Sequence, residues 1–308
     1  NDNRVQVGDL DHYENGVIRG FRFGVIGAIK FRKPWVYTVF SATNQFDRDF
    51  DSSSSDSFTW FDYRLDVPVF SGQFISIGKQ KKPINQERIM SIFALPFQER
   101  SAASDILYRS RNIGIVWSGN NKNNRLSWAG GVFNNWLETD NSRSDNLTSY
   151  SGSLTHVPLV TSDDSNLLHL AIGYRHSNNK QGLRRTQVPE IFGAPIFIDT
   201  GTPIGAGDTN TWNYEISWRM GSLWLDAEYT DVKIDGEGLN FTGYYVAASW
   251  IASGEMRGYN HRNWTFRPFP VSRPVDQGGW GALELGFRYS SVDMNDKQIN
   301  GGYLMSIL

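Results

Sequence analysis

The sequence contains no cysteine, which excludes disulfides, thiolate metal centres and cysteine nucleophiles; this is compatible with an oxidising compartment without requiring one. It has no apolar run long enough to span a membrane as a helix, and its hydrophobic fraction of 39% is dispersed along the chain, so a helical membrane protein is excluded. Net charge is nearly absent, −2 from 30 basic and 32 acidic residues. Any preference for anions must therefore come from local basic clusters and not from the field of the whole molecule. No signal peptide opens the chain, because residues 1–16 are polar and acidic; a cleaved leader is the expectation. Sustained helical periodicity and fixed-length repeats are also missing.

What is present is aromatic content and alternation. Trp, Tyr and Phe number 11, 13 and 19, and apolar residues recur every second position in segments of about ten residues bounded by turn residues. Leu168, Leu170, Ile172 and Tyr174 share one face, and His169, Ala171, Gly173 and Arg175 the other. Leu223, Leu225, Ala227 and Tyr229 oppose Trp224, Asp226, Glu228 and Thr230, and Leu283, Leu285, Phe287 and Tyr289 oppose Ala282, Glu284, Gly286 and Arg288. One face suits lipid and the other water, and such a barrel strand gives only half its residues to lipid. About thirteen strands are expected, at 16–30, 34–46, 58–69, 72–82, 109–119, 124–136, 149–159, 166–177, 211–220, 223–234, 240–252, 281–293 and 298–308.

A soluble β-sandwich alternates in the same way. Connection lengths favour a membrane barrel: short turns at 32–34, 71–72 and 221–222 alternate with long polar loops at 47–57, 138–148 and 178–210, as when one rim carries tight turns and the other long loops. Residues 252–281 break this pattern, being long where a short turn is due.

No catalytic constellation is legible. The five histidines, His12, His156, His169, His176 and His261, have no metal-ligand spacing, and there is no phosphate-cradling loop or nucleophile elbow. The Gly-rich stretch 201–208 lacks the lysine and helix that a phosphate cradle needs. The chain is expected not to be an enzyme, with no catalytic residues, no cofactor, no metal and no nucleic-acid partner. The residues that stand out are basic: Lys79, Lys81 and Lys82 end one strand, and Arg88, Arg100, Arg109 and Arg111 follow. Between them, 83–108 carries Ile89, Met90, Ile92, Phe93, Leu95 and Phe97, too apolar for a solvated loop. Its expected place is folded inward against the wall, constricting a pore, with basic residues along the passage. A second basic stretch, Arg257, His261, Arg262, Arg267 and Arg273, falls on the short-turn side. Trp60, Trp117 and Trp128 leave a sugar-conducting pore open, since inward-facing indoles stack on sugars.

In order along the chain, the sequence resembles the phosphate-selective porins. The features are Arg19 to Tyr37; Ile77-Gly78-Lys79 with Pro83, Glu87-Arg88 and Glu99-Arg100-Ser101; Arg111-Asn112-Ile113-Gly114; and Pro189 with Asp199-Thr200-Gly201. They continue with Ala227-Glu228-Tyr229, Thr242-Gly243-Tyr244-Tyr245, Ser253-Gly254-Glu255 and Trp280 to Ser290. The resemblance implies an all-β antiparallel transmembrane β-barrel of sixteen strands in the complete protein, a homotrimer in the lipid bilayer of the bacterial outer membrane. It implies passive diffusion of small anions such as phosphate, polyphosphate or other oxyanions. Residues 1–308 would form a single barrel domain, with C-terminal strands and the first strand missing or incomplete. By position, Arg19 matches the first of an arginine pair whose second member is Gly20 here. Lys79 matches a base after the strand glycine, and Arg185 one member of a cluster diluted by Gln187 and Val188. Asp231 stands where the family can carry a base. A general or sugar-conducting porin and a soluble β-sandwich binding module are the alternatives.

Overall fold

Alternating apolar residues put one side chain in two on each face of a strand, so a sheet built from them has two chemically different faces. In the computed structural model, which describes residues 20–43, 58–108, 111–134, 148–179, 182, 184–191, 194, 196–201 and 207–308, seventeen strands form. They are β1 (Arg22–Ile29), β2 (Trp35–Thr43), β3 (Phe58–Pro68), β4 (Gln73–Lys81), β5 (Arg111–Asn120), β6 (Leu126–Asn134), β7 (Thr148–Val160), β8 (Asn166–Asn179), β9 (Thr186–Gln187), β10 (Ile198–Asp199), β11 (Gly207–Met220), β12 (Leu223–Ile234), β13 (Leu239–Ile251), β14 (Tyr259–Asn260), β15 (Thr265–Phe266), β16 (Glu284–Asp296) and β17 (Ile299–Ile307). Thirteen of them make one antiparallel sheet in which each strand pairs with the next in sequence, the two-residue pairs β9–β10 and β14–β15 standing apart. The sheet is open, with β1 and β17 as its edges. Each of the thirteen coincides with a strand expected from alternation, to within a few residues at its ends. No helix among the described residues is long and apolar enough to cross a membrane.

Tight turns close one end. Gly72 and Gly221 take the left-handed conformation there, with φ of 69° and 58°, which costs a glycine nothing and a side-chain-bearing residue about 1 kcal/mol or more. The expected loops at 47–57 and 138–147 lie outside the described residues, and so does part of 178–210.

Burial is inverted relative to a soluble protein. On β11 the exposed residues are Trp212, Tyr214, Ile216 and Trp218, while Thr209, Thr211, Asn213, Glu215, Ser217 and Arg219 are buried. Strands β12 and β13 repeat this with Leu225, Tyr229, Tyr244, Val246 and Trp250 exposed. The register sets Tyr214, Tyr229 and Tyr244 side by side, and Trp218 and Trp250 lie nearer the short turns. Aliphatic side chains flanked by aromatic rows are what a barrel presents to lipid.

The polar face is covered by three chain segments, one of them the described part of 184–201, which buries Glu190 and Ile198 against it. Residues 82–108, containing α1 (Gln86–Ile89) and α2 (Ala102–Leu107), enter from the long-loop end. Residues 252–283 enter from the short-turn end, and the two meet: Met90 and Ala94 cluster with Trp224 and Phe266, and Gln86 Nε2 donates to the Trp264 carbonyl at 3.2 Å. The wall accepts residues 82–108 through two glycines. A Cβ on Gly173 would fall on the Ile84 carbonyl oxygen, and one on Gly243 would come within 2.9 Å of Ala103 Cβ and 3.0 Å of Leu107 Cδ1.

Candidate functional site

The inner segment is fastened by carboxylates of the wall. Parity on β11 and β12 turns Glu215 and Glu228 toward it, and both are buried. Glu215 Oε1 accepts from the Gln86 amide at 3.0 Å and from Asn213 Nδ2 at 2.7 Å, and its Oε2 lies 3.2 Å from His169 Nε2. Glu228 accepts from the Glu87 amide and from Asn85 Nδ2, both at 2.8 Å. The amides that open α1 lack partners within the helix, and a carboxylate is the strongest acceptor available to them. Asp226 is held by Ser217 Oγ and by Tyr245 OH, the latter at 2.6 Å.

The second half of the segment is tied down by a buried ion pair. Arg288 on β16 donates through Nε to Glu190 Oε2 at 3.0 Å and also through Nη2, and both side chains are 1% exposed. Glu190 Oε1 accepts from the Ala102 amide at 2.6 Å and from Ser290 Oγ, while Glu87 receives the Ser101 amide at 3.0 Å and Ser101 Oγ at 2.7 Å. From the segment 252–283, Arg257 donates to the Ala94 carbonyl and to Glu284. Tyr108 closes the segment, its hydroxyl 2.7 Å from Asn213 Oδ1 and 2.6 Å from Thr230 Oγ1; burial pushes this phenol well above its ordinary pKa.

The expected basic residues are partly brought together. Arg88 pairs with Asp105 at 2.6 Å and donates to the Tyr108 carbonyl at 3.2 Å. Arg100 donates to two backbone carbonyls, Glu87 at 3.1 Å and Met90 at 3.0 Å. Burial, reinforced by the charge of Arg88 and to a lesser degree by that of Arg111, lowers its pKa to about 10; it stays cationic at neutral pH. Arg111 reaches Asp62 at 2.9 Å and lies 3.5 Å from the centre of the Phe61 ring. That ring is shared with Arg22, 5.5 Å away, whose guanidinium also lies 5.7 Å from Phe93 of the inner segment. Lys81 Nζ donates to the carbonyls of Ile89 and Met90 at 3.2 and 2.9 Å. Lys82 is buried with its ammonium 5.9 Å from the Phe133 ring. Arg185 donates to the Ile106 carbonyl at 2.8 Å. Lys79 stands apart: the register sets it between Tyr63 and Ile113, on the face that carries Ile77 and Ile115. Arg19 and Arg109 lie outside the described residues.

Arg22, Glu190, Glu215, Glu228 and Arg288 are the residues that inspection of the sequence passed over. The available signal was charge at polar-face parity, as for Asp226, Glu228 and Arg288. The partners that Glu190, Glu215, Glu228 and Arg288 find across the lumen, such as Gln86, Glu87 and one another, lie about a hundred residues or more away, and those of Arg22 are Phe40, Phe61 and Phe93. Two of the indoles considered for sugar stacking, Trp117 and Trp128, pack edge to face at 5.9 Å on the apolar side of the sheet.

A family model described as phosphate-selective porin O and P matches residues 3–307. An uncharacterised protein of Caulobacter vibrioides is 36% identical over 81 residues, 26% of this chain; the chain thus spans only 15% of that relative's length. Among solved structures, OmpT of Vibrio cholerae, an outer membrane protein in a trimer form, aligns over 87% of this chain and 90% of its own, with 12% identity and a TM-score of 0.35. At that score the likeness supports no inference about this chain.

Proposed function

The chain belongs to the phosphate-selective porin family and is a β-barrel porin chain of the bacterial outer membrane, and from that premise we propose that it passes small oxyanions, phosphate among them, through a passage constricted by residues 83–108. The observation that carries this reading is Arg100. Its guanidinium is held by two neutral carbonyl oxygens, which fix its position without cancelling its charge, and it lies within the field of Arg88 and Arg111 and of the carboxylates Asp105 and Glu87.

A cation in a narrow, partly desolvated passage acts on an ion more strongly than one on an open surface. Arginine suits an oxyanion because its planar fork donates two parallel hydrogen bonds, whereas lysine is a mobile point charge. Passage requires release as well as capture, so binding is expected to be weak. Glu215 and Glu228 lie beneath the segment and accept from its amides, so that they hold it in place. The sugar-conducting alternative loses support, since Trp117 and Trp128 lie on the apolar face.

Reversal potentials across a planar bilayer under a salt gradient test this. Arg100→Gln should reduce anion preference and weaken the block of chloride current by phosphate, and Arg100→Lys should keep most of both. Equal losses in the two variants would show a structural role and sink the proposal. The homotrimer is part of the same reading; cross-linking in mild detergent that yields monomers alone would remove it.

A further inference from the structure

Among the described residues, two stretches of the short-turn rim combine exposed cations with exposed apolar side chains. The β1–β2 turn presents Lys30, Arg32 and Lys33 around Phe31, which is 54% exposed and packs edge to face on Trp35 at 4.9 Å. Lys33 Nζ reaches the Val69 carbonyl of the next turn at 3.2 Å, beside Phe70, which is 68% exposed. On the far side of the sheet, residues 267–283 lead from the inner face, where Phe269 lies 5.8 Å from the buried Arg257 guanidinium, back to β16 and the lipid-facing side, where Leu283 adjoins Leu285. This arm exposes Arg267 and Arg273 together with Val275 at 72% and Trp280 at 62%. It is built and not loose: the Gly281 amide donates to the Arg273 carbonyl at 2.9 Å, the Gly279 amide to Pro274 at 2.9 Å, and the Ser272 amide to Glu255 at 2.9 Å.

Exposed valine, phenylalanine and tryptophan next to arginine and lysine make a poor surface for water but a good one for the headgroup boundary. There the rings lie at the carbonyl level and the cations reach phosphates. Tight turns mark the periplasmic rim, where the adjoining leaflet consists of phospholipid. Of the described turns on the opposite rim, the one after β12 carries Asp235 and Glu237, and the one after β16 carries Lys297 beside Asp296. Charge and continuity with the lipid-facing aromatic row together select the occupant. We propose that the turn 30–35 and the arm 267–283 form an interfacial anchor that binds anionic phospholipid headgroups of the periplasmic leaflet. By seating the arm, the lipid also steadies the inner segment 252–266 to which the arm leads.

The test is the association of spin-labelled phosphatidylglycerol, relative to spin-labelled phosphatidylcholine, with the full chain in phosphatidylcholine vesicles. A basic side chain at such a surface enriches an anionic lipid about fivefold. Averaged over the whole perimeter, a preference of about threefold is expected, falling as salt screens it. Replacing Arg32, Lys33, Arg267 and Arg273 by glutamine should bring the preference close to unity, while R267K with R273K should retain it. The salt titration of the unmodified protein does not depend on any variant folding. No preference in the unmodified protein, a preference indifferent to salt, or one that survives the glutamine changes would overturn the proposal. Loss of oligomers with lipid preference intact would also overturn it, and would assign the rim to contacts between copies.

Discussion

Replacing Glu190 by leucine strands Arg288. In the native protein both side chains are 1% exposed, and Glu190 also accepts from the Ala102 amide and Ser290 Oγ. Breaking a buried pair from one side costs about 3–5 kcal/mol. The lower end applies here, because Arg288 keeps Glu87 Oε1 at 3.4 Å and the carbonyls of Glu99 and Arg100 at 2.9 and 3.4 Å. Leaving the amide and the hydroxyl without an acceptor adds about 1–3 kcal/mol, so Glu190→Leu should cost about 5 kcal/mol in all. Adding Arg288→Met removes the stranded charge. The double variant should recover about 3 kcal/mol of that loss, since an apolar pair of similar volume replaces a buried ion pair at little cost, while the amide and hydroxyl stay unsatisfied. Urea unfolding followed by tryptophan fluorescence measures both. Because Ala102 opens α2, the single variant should also show current fluctuations that the parent lacks. A loss under about 1 kcal/mol, or a double variant no more stable than the single, would refute the assignment of this pair as the fastening of α2.

Gly173→Ala should push the inner segment off the wall, because the new methyl group would fall on the Ile84 carbonyl and no side-chain rotation relieves a backbone clash. A loss of about 1–3 kcal/mol with altered conductance is expected, and unchanged values for both would count against the packing. Hydrogen bonds from Ser253 and from the Ser272 amide hold Glu255 at about 2, below its ordinary 4.5. A depressed carboxylate contributes fully above its ordinary value and loses that contribution as pH falls through the depressed one. Protection of the Ser272 amide from hydrogen exchange, corrected for intrinsic rate, should therefore persist at about pH 5 and vanish only near pH 2. Glu255→Leu, which removes the acceptor, should expose that amide at every pH, and an amide equally protected in that variant would contradict the role given to the carboxylate.

The strands were legible because each is specified by its own residues. Period-two alternation survives in Leu168 to Arg175, Leu223 to Thr230 and Leu283 to Tyr289 whatever the rest of the chain does, and glycines such as Gly72 and Gly221 mark the turns. The apolar character of 83–108 likewise announced a packed segment. What it packs on was not legible, because each contact joins residues distant in sequence. Asn85 and Glu228 are separated by 143 positions, and Arg288 and Glu190 by 98. Nor does the alternation distinguish a glycine that lightens a strand from one that seats a carbonyl, as Gly173 does for Ile84. Residues 252–283 show the same limit: their length was visible as an irregularity, but not their meeting with Met90 and Ala94 through Phe266 and Arg257.

Acidic residues on the polar face of a pore proposed to pass anions look contradictory while strands are read one at a time. The register removes the conflict. Glu215 and Glu228 lie on neighbouring strands, Glu215 directly opposite Glu228, and two adjacent carboxylates at the same level repel one another unless donors stand between them. The donors are the amides of Gln86 and Glu87, consecutive in sequence and directed one to each carboxylate. Two charges that would be unfavourable on a bare wall thus become the seat for α1. Arg100 is held by the carbonyls of Glu87 and Met90 in the same segment, so its position follows that seat. If this is right, neutralising Glu215 and Glu228 together should not increase anion preference, as removing pore-facing negative charge would; it should decrease it, because the segment that positions Arg100 would lose its seat. The double Glu215→Leu, Glu228→Leu variant removes both acceptors together with both charges and, measured by reversal potential, separates the two outcomes by sign: a shift toward stronger anion preference would mean that the carboxylates face the passage.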